Sequence, residues 1–501
     1  MQTLATTYSR ALSGIDAPLV SIETHLSNGL PSFTIVGLPE TEVKESRDRV
    51  RSALLNSHFD FPTRRITVNL APADLPKEGG RFDLAIAIGI LAASGQIDAN
   101  VLPAYEFLGE LALSGELRPI TGVLPTALQC RQQKRQLMLP ANNSTEAALI
   151  QSLTALPAKS LIQVCQHIQG INYLDSAPYQ PGNDQQSNFN DMSDIVGQEH
   201  AKRALEIAAA GQHSILLEGP PGTGKTMLAS RLDSILPDMT EEEALDSAIV
   251  QSISQTGFDH QNWKRRPMRS PHHSASAVAM VGGGNPPKPG EISLAHKGIL
   301  FLDELPEFNR QVLEALREPL ELGKITISRA SFQAEFPAQF QLIAAMNPCP
   351  CGYYGDKERS CHCSEYQIQR YRRKISGPLL DRIDLHVQIP RVDIEELQQK
   401  QHNNITPSST IKGKVCQARQ HQYQRDQCCN SNLDGHRIVE RCQLGEAEYQ
   451  LLQQVNQRLK LSTRSYYRLL KVARTIADID GCTQVNINHL SEALSYRQIE
   501  V

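Results

Sequence analysis

The chain has 501 residues, with 50 Lys and Arg against 54 Asp and Glu for a formal charge of −4. At roughly 100 to 200 residues per domain that length predicts about three domains, and the near-balance of charge excludes a chain whose overall field draws it to nucleic acid, so any such contact must come from a local patch. No run of about 18 apolar residues is present, which excludes a helix spanning a bilayer. The amino terminus lacks the charged start, apolar stretch and small-residue cleavage site of a secretory leader. The expectation is a cytoplasmic protein with no membrane partner, whose eleven cysteines are free thiols or metal ligands rather than a disulfide framework.

In chain order, residues 1–174 mix strand-like runs (33–36 and 66–70), a helical stretch (82–93) and a hairpin-like pair, FLGELAL and ELRPI, about Ser114-Gly115. This predicts an α+β domain. Residues 175–191 are polar, rich in Pro, Gly, Asn and Gln and without periodicity, as a linker is. From 192 to 391 short apolar runs alternate with helical patterns, which predicts a parallel sheet covered by helices and an α/β class overall. Residues 392–501 read as a helical lid, with a Gln/Asn-rich stretch over 398–432 expected to hold a loop.

The segment GPPGTGKT, comprising Gly219, Pro220, Pro221, Gly222, Thr223, Gly224, Lys225 and Thr226, lies between strand-like SILLE and helix-like MLASRL. It fits the G-x-x-x-x-G-K-[ST] phosphate loop, in which glycines let backbone N–H groups turn onto phosphates, the Lys meets the β and γ oxygens, and the Thr hydroxyl meets Mg²⁺. ATP and Mg²⁺ are therefore the expected cofactors. Downstream, GILFLDE runs a buried strand into Asp303 and Glu304, with Asp303 expected on Mg²⁺ through water and Glu304 expected to polarise the attacking water. A further strand, FQLIAAMN, ends in Asn347, placed to orient that water.

Between Thr226 and Asp303 the chain is longer than one strand-helix unit needs, so it carries an insertion. Residues 260–290 hold no acid, while Lys264, Arg265, Arg266, Arg269 and Lys288 are basic and Trp263 lies among them. Such a patch is expected to track a nucleic-acid backbone, with a contact to a neighbouring subunit as the alternative. In CPCGYYGDKERSCHC, Cys349, Cys351, Cys361 and Cys363 form two C-x-C pairs able to converge on one structural Zn²⁺, His362 being a substitute ligand and free surface thiols the alternative.

The phosphate loop, LFLDE and strand-end Asn, in this order, resemble an AAA+ ATPase. RSPHHSASAVAMVGGG and PGEISLAHKGILFLDELPEF resemble its magnesium-chelatase-like branch, and the chain from the amino terminus to about Gln498 resembles the YifB/ComM family within it. The resemblance implies a homo-hexameric ring with two arginines acting in trans: Arg382 in GPLLDRIDLHV as the arginine finger, a group worth about 10³ to 10⁵ in rate, and Arg464 as the lid's second sensor, with Arg468 one turn on. It also implies that the basic insert, and the hairpin KITISRASFQAEF with Lys324 and Arg329, point into a pore that takes DNA. NLAPADLPKEGGRFDLAIAIGIL and FLGELALSGELRPITGVLP resemble the proteolytic domain of Lon-type proteases. Where that likeness places the Ser–Lys dyad stand Arg81 and Pro125, which cannot serve; a rearranged pair would use Lys77. The implied activity is a helicase that promotes branch migration of recombination intermediates in natural transformation, alongside recombination proteins. The alternative is a chelatase-like ATPase that remodels a protein partner.

Overall fold

The computed structural model describes residues 3–37, 41–179, 191–284, 286–328, 333–356, 358–392, 406–459 and 461–497. Most of the expected linker, residues 180–190, lies outside the described residues.

The amino-terminal part begins with β1 (Leu4–Arg10), β2 (Leu19–Ser27), β3 (Ser32–Val36) and β4 (Arg65–Ala71), ordered β1-β2-β4-β3 in one sheet. Val20, Ile22 and Leu26 on β2, and Ile66, Val68 and Leu70 on β4, point to one buried face, as the two-residue period of a half-covered sheet requires. The helix Asp83–Ala93 lies on β1 and β2 and is buried at every position, which suits a helix apolar on all sides. Gly89 permits that closeness, because a Cβ there would stand 2.5 Å from Thr24 Oγ1.

Next come β5 (Tyr105–Phe107), β6 (Glu110–Leu111), β7 (Leu117–Arg118), β8 (Gln136–Pro140) and β9 (Ala155–Ala158). The hairpin expected from FLGELAL and ELRPI is shorter than its sequence suggests. Only Glu110–Leu111 pairs with β7, while Tyr105–Phe107 pairs in parallel with β8, whose run of apolar residues offers a strand buried on both faces.

The central part contains β10 (Ile215–Glu218), β11 (Met268–Arg269), β12 (Gly282–Gly283), β13 (Lys288–Pro289), β14 (Ile299–Leu302), β15 (Lys324–Ser328), β16 (Gln333–Pro337), β17 (Gln341–Met346) and β18 (Leu385–Gln388). Five of these form a wholly parallel sheet ordered β11-β14-β17-β10-β18. Every residue of β10, β14 and β17 is buried, because helices cover both faces. On one face Ile215, Leu217, Ile343 and Val387 meet the helices Glu199–Gly211 and Lys225–Ile235; on the other Leu216, Leu300, Leu342 and Ala344 meet Ile292, Val312 and Phe336.

The carboxyl-terminal part is helical: Ser408–Asp426, Gly435–Cys442, Glu446–Leu459, Thr463–Ile479 and Ile487–Ser495. The loop expected in the Gln/Asn-rich stretch gives way to the first of these from Ser408 onward, and residues 393–405 lie outside the described residues. Ile411, Val415, Ala418 and Gln422 bury one stripe of that helix, and their spacing of four, three and four overrides a polar composition. Arg419 binds it to the core by donating to Ala209 O at 2.9 and 2.7 Å.

The amino-terminal part meets the ATP-loop part through the helices Val123–Gln132 and Glu241–Ser252. Trp263 is buried in this seam with Met239, Ala244, Leu124 and Ala127, and Glu146 accepts a hydrogen bond from the Ser252 hydroxyl. Burial there pushes the Glu146 carboxyl up to about 7.

Candidate functional site

The turn after β10 wraps the start of the helix Lys225–Ile235. A Cβ on Gly219 would come within 2.3 Å of Ile389 O, whereas Gly222 (φ +80°) and Gly224 (φ +84°) have nothing within 4 Å of a Cβ position. The loop is therefore pressed against the end of β18 on one side and open on the other, where a phosphate fits at a helix amino terminus. Lys225 is 9% exposed, and its Nζ donates to Gly219 O at 2.6 Å, Pro220 O at 2.8 Å and Asn347 Oδ1 at 3.1 Å. Burial lowers its pKa. None of these partners is an anion, so the lysine's charge stays available to one. Thr223 braces the loop by donating to Pro220 O at 3.0 Å.

Asp303 and Glu304 follow β14, and Asn347 follows β17, so parallel strands deliver all three to the edge that carries the phosphate loop. Thr226 Oγ1 donates to Asp303 Oδ2 at 2.8 Å, a hydroxyl and carboxylate set as an oxygen-ligand pair for Mg²⁺. Glu304 adopts the left-handed region (φ +53°), and its N–H donates to Asp303 Oδ1 at 2.9 Å. Its side chain is 52% exposed and lies 3.1 Å from His273 Nδ1. That histidine is a neighbour the residue pattern did not single out; its only sequence signal is the PHH run at residues 271–273, within the acid-free stretch.

Arg382 and Arg464 lie elsewhere. β10 and β18 are parallel with Ile215 opposite Leu385, so Arg382, three residues before β18, sits at the sheet's amino-terminal end. The phosphate loop leaves the other end, roughly 13 Å of strand away. Arg464 is at the same end, because both guanidiniums donate to the Glu321 carboxylate. Hydrogen bonding to Arg382, then the charges of Arg382 and Arg464, hold that carboxyl below its usual range. Arg382 also donates to Pro378 O at 2.6 Å. Arg468, the fallback for Arg464, is bound to Asp384, which in turn meets His213 Nδ1 at 3.1 Å. Burial alone would raise the Asp384 carboxyl, and the charges of Arg468 and His213 overcome it, leaving it well below the carboxylate range.

The structure gives the basic residues of the insert acidic or carbonyl partners. Lys264 meets Glu241 at 3.2 Å, and Arg269 makes two bonds to Glu291 at 2.6 and 2.7 Å. Arg266 is a structural clamp, donating to Pro237 O (2.8 Å), Lys297 O (2.7 Å) and Glu243 (2.9 Å). Arg265 acts on Asp233, whose carboxyl burial raises and this arginine draws back. Lys324 pairs with Glu335 across the β15–β16 hairpin at 2.7 Å. Arg329 lies outside the described residues.

The four cysteines do converge. Their Sγ atoms all lie within 4.8 Å of one another, with Cys349–Cys351 at 3.3 Å, Cys349–Cys361 at 3.7 Å and Cys351–Cys361 at 3.5 Å. Thiolates at about 2.3 Å from a tetrahedral Zn²⁺ would stand about 3.8 Å apart, so the set fits such an ion, and His362 is outside it. The Tyr353 N–H helps hold the Cys351 thiol down to about 6. This cysteine loop touches the phosphate loop: a Cβ on Gly352 would come 2.7 Å from Pro221 Cδ.

In the amino-terminal part, Arg81 is buried and donates to Thr121 O and Gly122 O, three residues ahead of Pro125. Burial lowers its pKa to about 10. Lys77 is fully buried, and its Nζ is taken by the carbonyls of Gly37 (2.9 Å), Leu75 (3.1 Å) and Pro72. It faces carbonyls rather than a serine, which removes the rearranged dyad.

A five-stranded parallel sheet in this order, with a phosphate loop, an Asp–Glu pair and an Asn on its carboxyl edge, defines a P-loop ATPase core of the magnesium-chelatase-like AAA+ type. Models of the magnesium chelatase subunit ChlI match in succession over residues 22–143, 191–397 and, for its C-terminal portion, 406–497. The chain is 53% identical over 500 residues to competence protein ComM of Haemophilus influenzae, spanning 99% of this chain and 97% of the relative. It is 49% identical over 502 residues to the uncharacterized protein YifB of Escherichia coli, with 99% and 98% spanned. A shorter likeness, 30% over 182 residues, joins 32% of this chain to 33% of Lon protease 2 of Bacillus subtilis. The chain belongs to the YifB/ComM family of magnesium-chelatase-like AAA+ ATPases. No helix among the described residues is long and apolar enough to cross a membrane.

Proposed function

We propose that the chain is an ATP-driven, ring-shaped DNA motor, a helicase that promotes branch migration of recombination intermediates during natural transformation. The observation that carries the ring is the separation of Arg382 and Arg464 from their own phosphate loop by the length of the sheet. Arginines so placed serve the loop of the next subunit, and a head-to-tail contact whose rotation closes makes a ring, a homo-hexamer in this reading. In each site Lys225 and the loop N–H groups grip the phosphates. Thr226 and Asp303 would hold Mg²⁺, which would offset charge on the phosphate oxygens. Glu304 takes the proton of the attacking water that Asn347 orients, and the neighbour's Arg382 and Arg464 meet the γ-phosphate as charge moves onto it.

The DNA substrate is supported by the competence role in the name of the ComM relative. In this reading the helices from Ser408 onward act as the lid, and the amino-terminal domain is a Lon-like fold kept for assembly or DNA guidance. Zn²⁺ in the cysteine cluster is structural. The second reading, an ATPase that remodels a protein partner, is favoured by the three chelatase models that match along the chain.

Resolution of a labelled branched DNA by the purified protein and ATP separates the two. Native protein is expected to migrate the branch and Glu304→Gln is expected not to. Absence of migration together with an ATPase indifferent to any DNA would sink the DNA motor and point to a protein client.

A further inference from the structure

With Lys264, Arg266, Arg269 and Lys324 each bound to an acid or a carbonyl, the expected pore insert holds little uncommitted positive charge. A different surface has it. An open cleft lies between the turn after β14 and the helix Glu365–Arg372, lined by Phe308, Arg310, Tyr366, Arg370, Arg373 and Lys374, with Glu307 its one acid. Glu307 is neutralised by Lys374 at 3.0 Å. Arg310, Arg370 and Arg373 are exposed and form no ion pair among the described residues. Tyr366 holds its ring 73% exposed beside them.

Three free guanidiniums and an open aromatic face match a polyanion whose repeating units carry both a phosphate and a flat ring. That is single-stranded nucleic acid, whose bases are unpaired and free to stack. The walls of the cleft also reach the catalytic loops. Arg310 follows Glu304 by six residues through a short turn. On the other wall Arg372 meets Glu218, the residue before the phosphate loop, at 2.7 Å. The helix begins at Ser364, next to Cys363 of the cysteine cluster, and that loop abuts Pro221. A strand held here touches the supports of both Lys225 and Glu304.

We propose that this cleft grips single-stranded DNA, with Arg310, Arg370 and Arg373 on its phosphates and Tyr366 stacked on a base. The inference rests on the DNA reading above and names the surface that serves it. The test is fluorescence anisotropy of a labelled single-stranded oligonucleotide with the full chain in a non-hydrolysable ATP analogue, over a salt series, with assembly measured by mass under the same conditions. Arg370→Glu with Arg373→Glu is expected to weaken binding at least tenfold, and the slope of log affinity against log salt should become shallower by about 1.4, two phosphate contacts at about 0.7 each. Arg370→Gln with Arg373→Gln should show the same change in slope with a smaller loss of affinity, and Tyr366→Ala should cost about tenfold. Native-like binding by both arginine pairs would overturn the cleft while leaving the DNA motor standing. Loss of assembly in the charge-reversed pair would also overturn it, by assigning the cleft to the adjoining subunit. A native chain that binds no DNA at low salt would instead remove the DNA reading and the cleft with it.

Discussion

The amino-terminal domain and the phosphate-loop edge of the ATPase core both rest on sheets under apolar helices, yet they hold charge in opposite ways. In the first, Arg10 grips Glu106 through two bonds at 2.6 and 2.8 Å with Glu106 1% exposed, and Arg49 meets buried Asp83 at 2.8 Å. In the second, Lys225 has only neutral partners, Thr226 and Asp303 face each other at the sheet edge, and Glu304 is half exposed. A charge already matched inside the fold holds the fold; a charge resting on neutral groups remains able to exchange them for a ligand.

The largest effects should fall on the residues proposed to act on the nucleotide. Glu304→Gln and Arg382→Ala are each expected to lower ATP turnover by about 10³-fold or more, yet an equal mixture should recover part of it, because one variant supplies the intact carboxylate and the other the intact arginine. Steady-state ATPase of the mixture reads this directly, and no recovery would end the shared-site arrangement. Next in size is the first kind. Glu106→Ala strands Arg10 in the core and should cost about 3 to 5 kcal/mol, seen as a lower denaturant midpoint for an amino-terminal transition.

A smaller effect sits at the seam between the two regions. Glu146 carries a carboxyl raised to about 7 from an ordinary value near 4.5, so the folded state binds its proton more tightly than the unfolded chain. That group costs nothing below the unfolded value and progressively destabilises as pH rises through the folded one. Stability should therefore fall between pH 4.5 and 7 by on the order of 3 kcal/mol from this group, and Glu146→Gln should flatten that limb of a thermal-melt series; an unchanged limb would place the titration elsewhere. Smallest of all, Glu321→Ala should alter stability by under about 1 kcal/mol, since this carboxylate is 45% exposed and surface pairs are weak. A loss of several kcal/mol in chemical denaturation would show that Glu321 belongs with the structural charges after all.

The edge that carries the phosphate loop was legible in the residues because each member follows a short buried run. Parallel strands bring such ends together, so Lys225, Asp303, Glu304 and Asn347 could be placed from local pattern alone. The partners of the basic insert were not legible, for the converse reason. Its acids, Glu241, Glu243 and Glu291, stand 22 to 23 residues from their partners, outside the window whose composition suggested a basic patch. His273 beside Glu304, the cysteine loop against Pro221, and the burial of the helix Ser408–Asp426 are long-range pairings of the same sort. The free arginines near Tyr366 were equally plain in the letters RYRRK, but only the fold distinguishes Arg372, tied to Glu218, from its unpaired neighbours.

In the proposed ring, the opposition of Arg382 and the phosphate loop across the sheet gives each subunit a front and a back. In any open string of copies the first has a loop that no arginine reaches, and the last has arginines with no loop to reach. Breaking the circle at one contact therefore silences one site rather than weakening all of them, and adding subunits to a string never repairs it. Closure alone lets the number of working sites equal the number of chains.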